Sequence, residues 1–172
     1  MDRIAFPLRL ASAALLLAAP WQLRAAVPPS QPQGSAIVLK PLSLIKKTDM
    51  DFGKLITSAA AGTATIDPVS GAVTTAGGLT AVPGATTAAA FIGAGSRKAP
   101  VIIRIPKNPI TLTRSGGTET LTLTNWTLDG PTTRLIAANE AFQFKVGGQV
   151  AVAANQVPGT YVGTFDVTVQ YP

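Results

Sequence analysis

The chain has 172 residues and a formal net charge of +6, and it contains neither histidine nor cysteine. These absences remove the commonest general base and exclude Ser-His-Asp and Cys-His catalytic systems. The positive charge is mild and spread along the chain, without the basic stripe and stacking aromatics that nucleic-acid binding needs. We therefore expect no nucleic-acid partner, and ordinary solubility explains the charge better than attraction to anionic surface polymers.

Residues 1–26 have the pattern of a cleaved secretory signal peptide. Arg3 and Arg9 supply positive charge, residues 10–19 form a short apolar core, and cleavage is predicted after Ala26 or one residue earlier. The apolar run is too short to span a bilayer, so we expect no integral membrane segment after cleavage. Cleavage removes three of 14 basic and one of eight acidic residues, which leaves a net charge of +4. The predicted location is the periplasm, the cell surface or the extracellular medium.

Residues 27–34 are rich in proline and polar side chains, and they are expected to form an extended, flexible leader. The remainder, residues 35–172, has the size of one domain. A domain of this length can build a core without disulfides, so the missing cysteines do not argue against a stable fold.

The alternation of apolar residues changes phase at Pro41. Ile37 and Leu39 stand at odd positions, whereas Leu42 and Leu44 stand at even positions. A shift of one residue reverses the two faces of a strand. The pattern therefore indicates either one strand with a bulge near Lys40-Pro41 or two strands, and the sequence leaves both alternatives open.

Short β-branched segments separated by glycine and proline turns follow in chain order, and only the signal segment has a helical period. The predicted strands are 63–66 and 72–75 around the turn at 67–71, then 90–93 and 101–105, then 110–113 and 119–124 around the turn at 115–117, then 141–146 and 149–152 around Gly147-Gly148, and finally 159–171. Residues 76–89 are predicted to be mainly loop. This succession favours an all-β, immunoglobulin-like antiparallel sandwich.

The final predicted strand has the most regular alternation in the chain. Its large apolar side chains stand at odd positions and are expected to share one buried face, and they are Tyr161, Phe165, Val167, Val169 and Tyr171. Gly159 and Gly163 leave gaps on that face, or room for another backbone to approach. Since the sequence ends here, we expect no following element to cover this strand.

Candidates for catalysis are few. Ser43 and Lys46 have the spacing of serine–lysine chemistry, but they lie in an apolar strand context and not at the start of a helix. Asp49 and Asp51 share one face of an extended segment, although solvated edges and turns explain the acidic residues better than a calcium site. We expect no catalytic residue, no metal site and no cofactor. Trp126 is a candidate aromatic platform for a sugar ring, although packing is the commoner role of a lone tryptophan.

The last fourteen residues resemble the C-terminal strand of chaperone–usher pilins, the subunits of fimbriae. In that family a glycine lies fourteenth from the C-terminus and an aromatic residue is penultimate, as Gly159 and Tyr171 are here. Upstream, Met50-Asp-Phe-Gly-Lys-Leu55 is similar to the pilin segment that follows the first strand. The run from Phe144 to Val150, together with Gly159-x-Tyr-x-Gly, also resembles an exported bacterial family, domain of unknown function 4402. That likeness extends from about residue 42 to residue 171.

The pilin resemblance implies a non-catalytic immunoglobulin-like subunit that lacks one strand. A strand from a periplasmic chaperone would first fill the open groove, and an usher would receive the complex. The N-terminal extension of a neighbouring copy or related subunit would then replace the chaperone strand. The candidate donor is 35–39, with Ile37 and Leu39 as its inserted residues. The implied acceptor strand consists of Gly159, Tyr161, Gly163, Phe165, Val167, Val169 and Tyr171.

Two features depart from the pilin pattern, since the chain has no disulfide and the leader does not alternate cleanly. The alternative prediction is therefore a secreted or surface module for carbohydrate binding or cell adhesion. Such a module would be a self-complete monomer with Trp126 as its glycan platform.

Overall fold

The computed structural model describes residues 31–172, so the predicted signal peptide and the first part of the leader lie outside the described residues. Residues 37–172 form one compact unit. The described part contains strands and no helix, and every strand pairing is antiparallel, which confirms the all-β prediction. No described helix therefore has the length and apolar character needed to cross a membrane.

Eleven strands form two sheets within the described residues. They are β1 (Ser43–Thr48), β2 (Leu55–Ile66), β3 (Val73–Ala81), β4 (Ala89–Ala94), β5 (Pro100–Arg104), β6 (Ile110–Arg114), β7 (Thr120–Leu128), β8 (Thr133–Leu135), β9 (Ala141–Val152), β10 (Tyr161–Val162) and β11 (Thr168–Gln170). The large sheet has the order β1-β4-β9-β7-β6-β10, and β2 joins it by pairing with both β3 and β9. This sheet curls into a half-barrel. The small sheet has the order β11-β5-β8.

Strand β9 is the centre of the large sheet, and it changes partners half-way along its length. Its residues 141–146 pair with β4, its residues 148–152 pair with β2, and β7 pairs along the opposite edge. The predicted hairpin turn at Gly147-Gly148 is therefore wrong, because both glycines lie inside one continuous strand. A side chain at Gly147 would collide with the carbonyl oxygen of Ile66, so close approach of the neighbouring strand explains this glycine.

The apolar core has two parts. The first cluster draws on both sheets, and its buried members are Ala89, Val101, Ile103, Ile136, Phe142, Phe144 and Val146. The second cluster lies on the large sheet alone, and its buried members are Ala64, Leu79, Leu123, Val150 and Val152. Because the small sheet contributes no buried residue to the second cluster, that cluster has less cover, and the candidate site lies over it.

Two further predictions need correction. Strand β3 continues to Ala81, into the predicted loop, because Leu79–Ala81 pairs with the start of β2 beyond a bulge. The final strand is not continuous. Strand β10 pairs with β6 of the large sheet, whereas β11 pairs with β5 of the small sheet. The final run of the chain thus passes from one sheet to the other, and residues 163–167 between them belong to neither.

The Gly147→Ala substitution tests whether β9 needs glycine for close packing. We expect the free energy of unfolding to fall by about 2 kcal/mol, because the added methyl group has no space beside Ile66. Chemical denaturation measures this change. The matched control is Gly84→Ala, where the nearest atom to the new methyl group is 3.9 Å away. An equal effect of both substitutions would contradict the close-packing explanation.

Candidate functional site

The first and last runs of the folded unit lie side by side in opposite directions. At one end, the Tyr171 hydroxyl donates to the carbonyl oxygen of Lys40 at 2.8 Å. At the other end, the backbone N–H of Asn155 donates to the carbonyl oxygen of Ser58, with a donor–acceptor distance of 2.9 Å. We call the Lys40–Tyr171 contact the upper end and the Ser58–Asn155 contact the lower end of this pair of runs.

An apolar groove of about 720 Å³ separates the lower halves of the two runs. Its floor is the second core cluster, represented by Leu123, Val150 and Val152. Residues 49–57 line one side, and residues 156–163 with Phe165 line the other, so that Asp49 and Phe165 mark the upper limit of the groove. The floor of the groove is apolar, whereas its walls also carry polar and charged side chains. An apolar floor gains free energy when an apolar chain segment covers it.

The two walls of the groove have open backbone edges. Strand β10 pairs only with β6 among the described residues, and Leu55–Thr57 of β2 pairs only with the end of β3. The side of each wall that faces the groove therefore has no strand partner in the described chain. Unpaired strand edges of this kind are templates for an additional strand.

Apolar side chains stand exposed along the rim of the groove. Ile56 is 58% exposed, Val157 is 41% exposed and Val162 is 57% exposed, and all three line the groove. Adjacent exposed apolar side chains at a groove are typical of an interaction site, whereas single ones scattered over a surface are not.

Glycine allows the final run to lie close against its neighbour. A side chain at Gly163 would come within 2.7 Å of the Thr111 carbonyl oxygen, and one at Gly159 would meet the aliphatic part of Arg114 at 2.8 Å. Strand β6 thus occupies the space that these side chains would need. The close approach holds the final run on β6 and leaves its other edge facing the groove.

The apolar residues of the final run point inward despite the change of sheet. Tyr161, Phe165, Val167, Val169 and Tyr171 are each half-buried, and their even-numbered neighbours from Val162 to Gln170 are exposed. The structure thus places the apolar residues of the predicted acceptor strand on one inward face. Of the predicted set, Gly159, Tyr161, Gly163 and Phe165 line the groove, whereas Val167, Val169 and Tyr171 do not. Gly159 and Gly163 are themselves exposed.

Trp126 packs beneath the final run. Its ring lies 4.8 Å from that of Phe165, centroid to centroid, and its Nε1–H donates to the Asn108 carbonyl oxygen at 3.2 Å. The half-buried side chain contacts both core clusters. One role of Trp126 is therefore packing, and its use as a glycan platform stays a prediction.

The candidate donor residues stand free of the sheets. Ile37 is 88% exposed and Leu39 is 42% exposed, and residues 31–42 belong to no strand. The first strand begins only at Ser43. Within the described residues, neither alternative left by the phase change forms, because only the segment after Pro41 is a strand. We call residues 37–39 the apolar arm.

The acidic candidates and the serine–lysine pair lie in the first strand and directly after it. Asp49 forms an ion pair with Lys46 at 2.5 Å, and Asp51 accepts a hydrogen bond from the Gly53 N–H at 2.8 Å. Because β1 is a strand, Ser43 and Lys46 point to opposite faces. No described group of three acidic, histidine or cysteine side chains is placed to hold a metal ion.

An ion pair supports the lower part of the groove. Arg114 Nε donates to Glu119 Oε2 at 2.6 Å, next to the point where Gly159 lies against the Arg114 chain. The side-chain hydrogen bond from Arg114 lowers the pKa of Glu119 below its ordinary value, and the same bond raises the pKa of Arg114. Because Glu119 has a lower pKa in the folded state, its contribution to stability is present in full above the ordinary glutamate pKa. The contribution is lost as the pH falls through the folded value.

The Glu119→Gln substitution should remove this part of the pH dependence. We expect the melting temperature of the wild-type chain to fall more steeply than that of the variant below about pH 4.3, the ordinary glutamate pKa. Thermal melts from pH 7 to pH 2.5 measure the difference. The pKa of Asp67 is also lowered, chiefly by a backbone hydrogen bond from Ser70. The stability of both proteins should therefore still fall in acid to some extent, because Asp67 is present in both. If the melting temperatures of the wild type and the variant fell equally with pH, the Arg114–Glu119 pair would contribute nothing to the acid dependence of stability.

Comparison with known proteins identifies a family for most of the described chain. The family model for a domain of unknown function, DUF4402, matches residues 42–171, which cover both walls of the groove and begin just after the apolar arm. No curated protein and no solved structure matches the chain.

Proposed function

Because the chain belongs to the DUF4402 family, which is described only as a domain of unknown function, we propose a function from the geometry of the groove. The protein is a non-catalytic exported structural subunit that assembles by β-strand addition, as pilins do. One observation carries the proposal: the chain has an unpaired apolar arm, and it also has an apolar groove with two open backbone edges.

The distribution of exposed apolar side chains supports this function. Ten large apolar residues are exposed in the described chain, and six of them belong either to the arm or to the rim of the groove, namely Ile37, Val38, Leu39, Ile56, Val157 and Val162. Most of this unfavourable exposure would be relieved by one event, the entry of an arm into a groove.

The arm has the right pattern for a donated strand. In an extended segment between the two walls, Ile37 and Leu39 point to the floor and Val38 points outward. The backbone of the segment would pair with β10 on one side and with the start of β2 on the other. The added strand would complete an immunoglobulin-like sandwich.

An arm cannot enter the groove of its own chain. Residues 35–39 span at most about 18 Å when fully extended. The arm is rooted before β1, whereas the groove begins at Asp49, after β1. The six residues of β1 alone cover about 20 Å, which exceeds the reach of the arm. The donor must therefore come from a second copy or a related subunit.

The direction of insertion depends on the wall with which the donor pairs in antiparallel fashion, because the two walls run in opposite directions. A donor that runs antiparallel to β10 leaves the groove at the lower end, where Ser58 meets Asn155. The folded part of the donating subunit then lies beyond the lower end of the receiving groove. Because its arm is attached at Lys40, the donor turns its own upper end toward the receiving subunit. This contact is head-to-tail, and repeated contacts of that type build an open filament. Before assembly, a periplasmic chaperone would cover the groove, and an usher would deliver the subunit to the cell surface.

Self-association of the chain from residue 27 onward tests this function. Burial of Ile37 and Leu39 gains at most about 3–6 kcal/mol, which corresponds to dissociation constants from about 6 mM down to about 0.05 mM. We therefore expect oligomers as the protein concentration approaches about 1 mM. The double substitution Ile37→Asp and Leu39→Asp should leave a monomer, because two carboxylates cannot enter the apolar groove. Val38→Asp is the matched control, since its side chain points away from the floor, and it should still assemble. Light scattering after size-exclusion chromatography measures the masses.

A second measurement locates the contact. The double variant has an intact groove, so a peptide of residues 34–40 should bind it and protect the backbone amides of β10 and of Leu55–Thr57 from hydrogen exchange. A chain that stays monomeric up to about 1 mM and captures no peptide would contradict the proposed function.

A further inference from the structure

A hydrogen-bonded cluster joins the root of the arm to the final run of the chain. The Tyr171 hydroxyl donates to the Lys40 carbonyl oxygen and accepts from the backbone N–H of Ser96, each at 2.8 Å. The Lys40 N–H donates to Ser96 Oγ at 2.6 Å, and Lys40 Nζ forms an ion pair with Glu140 at 2.6 Å. We call these four residues the upper clasp.

The clasp holds both backbone polar groups of Lys40, the residue that directly follows the arm. The next residue, Pro41, has no N–H group with which to anchor the chain. The orientation of the peptide groups around Lys40 therefore depends on Ser96 and Tyr171, and this orientation sets the direction in which Leu39 leaves the domain.

The fold makes room for the Tyr171 hydroxyl at this position. A side chain at Gly95 would come within 2.7 Å of the Tyr171 oxygen. The Tyr171 ring packs against the first core cluster, so the hydroxyl is presented from a supported position. A hydroxyl on a packed ring loses little side-chain entropy when it bonds, which suits it to fixing a backbone segment.

We propose that the Tyr171 hydroxyl is a positioning group for assembly, which holds the root of the arm so that the arm projects from the domain in the direction needed to enter the groove of a second copy. This inference rests on the proposed function. The final run forms one wall of the receiving groove and, through Tyr171, holds the segment that the same subunit donates. Fixing the root before contact reduces the conformational entropy lost when the arm is inserted.

The Tyr171→Phe substitution in the chain from residue 27 onward tests the inference, because it removes the hydroxyl and keeps the ring. The Lys40 amide donates to Ser96 Oγ, and Tyr171 holds both Ser96 and Lys40 in place. Loss of the Tyr171 hydrogen bonds should therefore make hydrogen exchange of the Lys40 amide about tenfold faster. The protein concentration needed for assembly should rise about threefold to tenfold. Capture of the peptide of residues 34–40 should not change, because the structure places Tyr171 outside the groove, whose lining on the final run ends at Phe165.

Two further variants separate positioning from general loosening. Ser96→Ala breaks the clasp at another residue and should reproduce the effect on Lys40. Tyr161→Phe removes a hydroxyl that donates to Val157 at the groove, and it should leave Lys40 exchange unchanged. The inference is overturned if Tyr171→Phe leaves Lys40 exchange and assembly as in the wild type, or if exchange rises equally throughout the chain. If the wild-type groove captures no peptide, the proposed function fails, while Lys40 exchange still decides whether the clasp holds the arm.

Discussion

The open backbone edges above the second core cluster are the constraint on which the rest of this structure depends. A strand edge carries N–H and C=O groups that need partners, and here two such edges, β10 and the start of β2, face each other across an apolar floor. The first cluster receives cover from the small sheet, whereas the second receives none from it. The groove thus exists because the small sheet covers only the first core cluster and leaves the second uncovered.

Small side chains make this arrangement possible at the places where backbones come together. Gly147 allows β2 to approach β9 where β9 exchanges one partner for another, and Gly163 allows the final run to lie on β6. Neither residue forms a turn. The same residue type serves close packing in the centre of the sheet and at its edge, because in both cases a backbone oxygen occupies the position that a Cβ atom would need.

In residues 31–172, the polar contacts of side chains lie at the surface and not in the core. No buried polar or charged residue occurs among the described residues. Two of the polar contacts touch the final run, namely the Tyr171 hydroxyl bond to Lys40 and the Arg114–Glu119 ion pair beside Gly159. Such contacts are individually modest. In the proposed assembly, they orient the apolar arm and hold the groove wall that would receive the arm of another copy.

The amino-acid sequence by itself determined the all-β class, the turns at 67–71 and 115–117 and the inward face of the final run, because alternation and turn chemistry are local properties. The pairing partners were decided only by the tertiary structure. A local pattern could not distinguish a Gly147-Gly148 turn from close packing inside β9, nor foresee that residues 159–171 divide between two sheets. The groove itself joins residues about 100 positions apart, so it exists only when the folded chain brings them together.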